Sequence, residues 1–149
     1  MKYILLIIPV LIVGFSSCRT TAEQGSADQL LNEDYRLHNI WALTFMDGRE
    51  VSREDFPFAI PSMEFNLSKK RFMGNNGCNE FMGDFSTNKE KATIDFYEVS
   101  YDRNICKNDD NSNIFMGLIT QRQYTYEFGE NELIIRDSNK IVLKFRNVD

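Results

Sequence analysis

The stretch Tyr124-Thr125-Tyr126-Glu127-Phe128-Gly129-Glu130-Asn131-Glu132-Leu133-Ile134-Ile135-Arg136-Asp137-Ser138-Asn139-Lys140-Ile141-Val142-Leu143-Lys144-Phe145 decides the fold class. Tyr124, Tyr126 and Phe128 alternate with polar residues, which puts three rings on one face of a strand. Gly129-Glu130-Asn131 turns the chain into a second strand over Leu133 to Arg136. Asp137-Ser138-Asn139 turns it again, into a strand where Ile141, Leu143 and Phe145 share a face. Parallel neighbours need a crossover of a dozen or more residues, so turns this short predict an antiparallel meander.

Upstream the period changes. Ile114, Phe115, Leu118 and Ile119 fall on one helical face behind Asp109-Asp110-Asn111-Ser112, which offers capping side chains and acidic charge at a helix start. The spacing predicts a helix of about ten residues ending near Arg122. Before it, short alternating runs return. Trp41, Leu43 and Phe45 share a face and stop at the Asp47-Gly48 turn. Met63, Phe65 and Leu67 lead into the Ser68-Lys69-Lys70 turn and a strand through Phe72, and Ile94 and Phe96 form another short strand running towards Val99. Pro57 and Pro61 bracket an irregular segment, and Gly74, Gly77 and Gly83 mark turns or bulges. The chain therefore reads as mainly β (α+β): roughly six to eight short strands and one helix late in the sequence. Such a sheet hides its apolar face by curling or by packing the helix on it. The expected architecture is an antiparallel curled sheet or partly open barrel, with the helix covering an opening.

The first residues carry an address. Lys2, the apolar run from Ile4 to Phe15 and the small residues Ser16 and Ser17 describe a secretory signal. The run is too short to span a membrane, which takes roughly 20 apolar residues. Phe15-Ser16-Ser17-Cys18 resembles a bacterial lipobox, so residues 1–17 are expected to be removed and Cys18 to carry the lipid. Two or more acyl chains such as palmitate give stable anchoring. Residues 18–33 are polar and without periodicity and read as the lipidated cysteine and a flexible tether, leaving a domain over 34–149. Arg19 after the lipidated cysteine points to the periplasmic face of the outer membrane as the location.

Composition then excludes several classes. Without Lys2 the chain has 16 basic against 22 acidic residues, a formal charge of −6. Nucleic acid is not an expected partner, because neutralising phosphates takes clustered Lys and Arg. The densest basic run, Lys69-Lys70-Arg71, falls at a turn tip. With Cys18 taken by lipid, Cys78 and Cys106 remain as a pair in an oxidising compartment and are expected to form a disulfide. A zinc site lacks ligands, since there is no Cys-x-x-Cys and His38 is the single histidine. A calcium loop starting at Asp109 fails, with Ile114 and Thr120 where Gly and Glu belong. No metal, no cofactor and no catalytic set is expected: Cys78, the one plausible nucleophile, is better explained by pairing with Cys106, and His38 falls just after the tether, at the domain edge.

The densest pattern is Phe72-x-Gly74-x-x-Gly77-Cys78-Asn79-x-Phe81-x-Gly83-x-Phe85. Together with Trp41, Leu43 and Gly48 before it, and Arg103 three residues ahead of Cys106 after it, this resembles the META domain family, also called HslJ-like. The resemblance covers roughly residues 36 to 147, with Asn104-Ile105 standing where a Met-Ala pair is more usual. It implies a small, mainly antiparallel barrel-like sheet with a helix, often in envelope lipoproteins linked to stress response, and no catalytic residues. Trp41, Gly74, Gly77, Asn79, Gly83 and Arg103 carry the motif, and turns and close backbone approach explain these glycines and Asn79. The leading functional expectation is a non-enzymatic module held to the membrane through Cys18 and binding another envelope protein. The alternatives are a carrier or sensor of an apolar small ligand in a barrel cavity, and a structural role in envelope maintenance.

Overall fold

The computed structural model describes residues 34–149. The expected signal, the lipidated Cys18 and the tether lie outside the described residues. Nine strands follow in order: β1 (Ile40–Met46), β2 (Arg49–Glu50), β3 (Ser62–Asn66), β4 (Arg71–Asn75), β5 (Glu80–Asn88), β6 (Thr93–Tyr101), β7 (Arg122–Phe128), β8 (Glu132–Asp137) and β9 (Lys140–Asn147). One α-helix, α1 (Asp110–Ile119), lies between β6 and β7, and single 3-10 turns cover Tyr35–Leu37 and Arg53–Asp55. No helix among the described residues is long and apolar enough to cross a membrane.

The meander forms as its alternation predicts. Phe128 pairs with Leu133 and Thr125 with Arg136 across β7–β8, and Leu133 pairs with Phe145 across β8–β9. All pairings around the sheet are antiparallel, and the ends of the sheet meet: Trp41 pairs with Asn147 and Met46 with Leu143 across β1–β9. The curled sheet is thus a closed barrel of eight strands, with the two-residue β2 folded back on β1. Closure removes the exposed edges that a free sheet would present.

An eight-stranded barrel has an interior just wide enough for side chains to fill. Here Phe65, Phe72, Phe85, Phe96, Phe115 and Phe145 fill it and are fully buried. Phe65 meets Phe85 edge-on at 5.0 Å between centroids, and Phe72 meets Phe96 at 5.1 Å. Each such pair contributes about 0.5–1.5 kcal/mol beyond its buried area. α1 closes one end. Its Phe115 reaches Phe81 at 5.9 Å and Phe145 at 6.4 Å, and Asn111 donates to the Asp55 carbonyl at 2.8 Å. Tyr124 holds the far end of the helix through its hydroxyl, which donates to the Leu118 carbonyl at 2.7 Å.

Bulges alter three expected faces. The β1–β9 register shifts between Leu43 and Phe45, so Met46 rather than Phe45 joins Trp41 and Leu43 in the core. The β8–β9 register shifts between Ile135 and Arg136, which leaves Ile141 half-buried and Val142 buried. Across β5–β6, Met82 pairs with Ser100 and Asp84 with Tyr97, so Glu98 and Val99 together face Gly83. Each extra residue exchanges inside for outside beyond it. The helix is rotated as well: it buries Ser112, Phe115, Met116 and Ile119, while Ile114 points to solvent.

Candidate functional site

The family-like motif lies at the helix-capped end, in the turn from β4 to β5. Gly77 has φ +89°, a conformation that side chains rarely allow, and a Cβ there would meet Phe56 and the Ala59 carbonyl at 2.8 Å. At Gly74 a Cβ would run into the Ser62 carbonyl oxygen of β3. Gly83 lies under the Phe72 ring, which would be 2.8 Å from an added Cβ. Asn76, buried, organises the turn, its Oδ1 accepting from the backbone N–H of Cys78 at 2.9 Å and of Asn79 at 2.6 Å.

Asn79 then ties this turn to the segment between β6 and α1. Its Oδ1 accepts from the Asn104 N–H at 2.9 Å, and its Nδ2 donates to the Asn104 carbonyl at 3.1 Å. Cys78 and Cys106 are joined by a disulfide in the same place, with Cα atoms 6.1 Å apart. The motif is therefore a strut, and its polar groups are spent on backbone. Trp41 lies apart from it, on β1 in the core, and its Nε1 donates to the Leu37 carbonyl at 3.1 Å. Arg103 is exposed beside the strut, in none of the hydrogen bonds or ion pairs among the described residues. Asn76 and Asn104 are essential to the strut and were not singled out by sequence. The signal for Asn76 was the Asn75-Asn76-Gly77 run, whose side chains readily close such turns.

The opposite end has a different character. Asp34 caps the 3-10 turn Tyr35–Leu37, accepting from the Arg36 N–H at 3.3 Å. The Arg36 guanidinium returns to the same carboxylate in two hydrogen bonds, Nε to Oδ1 at 2.8 Å and Nη2 to Oδ2 at 2.7 Å. It also lies 4.3 Å from the centroid of the Phe128 ring, which Trp41 approaches at 5.8 Å and Tyr126 at 5.7 Å. Around this stack opens a cleft of about 640 Å³, lined by Tyr35, Arg36, His38, Trp41, Phe128 and Asn131 among others. Tyr35 is 76% exposed on its rim. His38 uses Nδ1 on the Phe65 carbonyl at 3.0 Å, and no carboxylate or nucleophile among the described residues is bonded to it. Among the described residues no three of His, Cys, Asp and Glu converge to hold a metal ion.

The hydrogen bonds from Arg36 hold the Asp34 carboxyl below the usual carboxylate range, against a smaller opposing effect of burial. A depressed folded pKa stabilises the fold above the unfolded value of about 3.9 and loses that contribution as the pH falls through the folded value. Asp34→Asn keeps the cap but removes the charge that pairs with Arg36, and is expected to cost up to about 1 kcal/mol at pH 7. Urea titrations of the two proteins should converge as the pH is lowered below about 4.

A family model described as META domain matches residues 32–149. No curated protein matches the chain. Among solved structures, one determined by NMR is similar over 76% of this chain and 92% of its own, at 17% identity and a TM-score of 0.57. An NMR structure of a protein from Burkholderia xenovorans matches 82% of this chain and 87% of its own, at 18% identity and a TM-score of 0.54. A crystal structure of a DUF4847 family protein from Bacteroides vulgatus ATCC 8482 matches 74% of this chain and 92% of its own, at 12% identity and a TM-score of 0.51. At these identities the likeness is one of fold.

Proposed function

Because the chain belongs to the META domain family, we propose that it is a non-enzymatic binding module of the bacterial envelope, held by lipid on Cys18 and engaging another envelope protein. The observation that carries this reading is the cleft around Phe128. Tyr and Arg are enriched among the residues that dominate the energetics of protein interfaces, and here Tyr35 and Arg36 line one concavity over the buried Trp41. The Arg36 fork is fixed by Asp34 before any partner arrives, so little side-chain freedom is lost on binding. Asp34, the first of the described residues, lies beside this cleft through its bonds to Arg36.

The lipobox-like residues and Arg19 support placement on the periplasmic face of the outer membrane, and the stress-related role follows from the family resemblance. A carrier of an apolar ligand inside the barrel is less well supported, because six phenylalanines occupy the space such a ligand would need.

The test is crosslinking in living cells, with a photoreactive residue replacing Tyr35 and, as control, one replacing the exposed Ser138. A discrete crosslinked species of higher mass is expected from position 35 and not from position 138, and Arg36→Ala should weaken it. Equal labelling from both positions, or none from position 35, would count against the reading.

A further inference from the structure

The outer face of β3 to β6 departs from the usual pattern. Outward positions on a barrel whose core is apolar are ordinarily polar. The register of the strands instead sets Glu64, Met73, Met82 and Ser100 in one row, with the two methionines directly opposite each other. Directly paired residues have Cβ atoms about 4.5–5.5 Å apart, so the two thioether side chains form one patch. Met73 is 44% and Met82 52% exposed. Tyr101 is exposed beside them, and together they floor a groove of about 470 Å³.

The rim is acidic. Glu80 and Asp102 line the groove, and Glu64 stands at the other end of the methionine row. These three carboxylates are in none of the ion pairs among the described residues. Arg71, the cation on this face nearest in register, is taken up by Asp84 at 3.3 Å. Three carboxylates outside those ion pairs around exposed apolar atoms, against the single nearby Arg103, favour positive charge over negative charge. A second copy of this chain, with its excess of acidic residues, presents the same repelling field, as do anionic lipid headgroups and nucleic acid.

We infer that the outer face of β3–β6 docks a cationic polypeptide segment, which lays apolar side chains over Met73 and Met82 and sets basic side chains against Glu64, Glu80 and Asp102. Methionine suits this task because its unbranched, polarisable side chain repacks around different apolar anchors. The groove lies towards the helix-capped end, whereas the Tyr35 cleft lies at the other, so this inference does not rest on the proposed function.

The test uses the full chain purified from the envelope fraction in a detergent with neutral headgroups, its methionine methyls labelled with carbon-13. The probe is a nonapeptide of alternating Lys and Leu. It is expected to shift the Met73 and Met82 methyl signals saturably, while the buried Met46, Met63 and Met116 stay in place. Met82→Ser and the pair Glu80→Lys with Asp102→Lys, both at exposed positions, should each weaken binding about tenfold or more. A nonapeptide of alternating Lys and Ser should bind about tenfold more weakly, and one of alternating Glu and Leu should leave the signals unmoved. The inference is overturned if the Lys–Leu peptide does not shift Met73 and Met82. It is equally overturned if the Glu–Leu or Lys–Ser peptide matches it. Shifts of those signals by phosphatidylglycerol vesicles, or by self-association of the chain, in place of the peptide would overturn it too.

Discussion

Phe65→Ala lowers the free energy of unfolding by about 3–5 kcal/mol, the largest effect expected of any single substitution in the barrel. Phe65 is fully buried and touches three other rings, Phe72 at 6.1 Å, Phe85 at 5.0 Å and Phe96 at 6.3 Å between centroids. Removing it takes away the transfer free energy of the ring and leaves a cavity among rings that are themselves held by strands. The strands cannot close in on the gap, because pairing of β1 with both β3 and β9 fixes the circumference. Total stability for a domain is about 5–15 kcal/mol, so the variant should be near its unfolding midpoint in mild denaturant. Urea titration reads this directly, with Met82→Ala as the exposed control changing stability by no more than about 0.5 kcal/mol. A loss below about 1 kcal/mol for Phe65→Ala would mean that the interior has room to repack.

Reducing the Cys78–Cys106 disulfide, or replacing both cysteines by Ser, is expected to cost about 3–4 kcal/mol and to lower the melting temperature by about 10–20 °C. The bond closes a loop whose ends are 28 positions apart, and the cost comes chiefly from freeing the unfolded chain. The folded form should survive, since Asn79 still clamps Asn104 through two hydrogen bonds and Phe115 still enters the barrel. Adding Asn79→Ala to the reduced protein removes that second tie and should cost about 1–3 kcal/mol more, because the Asn104 backbone groups lose their partner. Calorimetry of the parent and of Asn79→Ala, each oxidised and reduced, separates the two contributions. An unchanged melting temperature after reduction would show that the disulfide adds nothing beyond the barrel and the Asn79 clamp.

Much of this fold was legible because its strands are half-buried and alternate. Met63, Phe65 and Leu67 read as one face and are all buried, and so are Tyr124 and Tyr126 of the meander. The cysteine pair was legible by count, once Cys18 was set aside. Phe45 and Ile141 leave the faces that alternation predicts because a bulge inserts one residue without a composition signal of its own. Ile114 shares the stripe of Phe115, Leu118 and Ile119 by spacing, whereas the helix turns Ser112 and Met116 inward beside Phe115 and leaves Ile114 exposed. Closure through β1 and β9 joins residues about a hundred positions apart, and no local pattern encodes it. The cleft was not legible for the same reason. Tyr35 and Arg36 lie in an ordinary polar segment, and only the closed barrel brings Phe128 beneath the Arg36 guanidinium.

Native mass spectrometry of the full chain, released from envelopes in mild detergent, tests the central claim most directly. A filled barrel that acts by binding another envelope protein predicts the lipidated chain alone and in a discrete complex with a second polypeptide, with no small molecule bound. A small added mass that disappears on extraction with organic solvent would contradict it, and would make the domain a carrier instead.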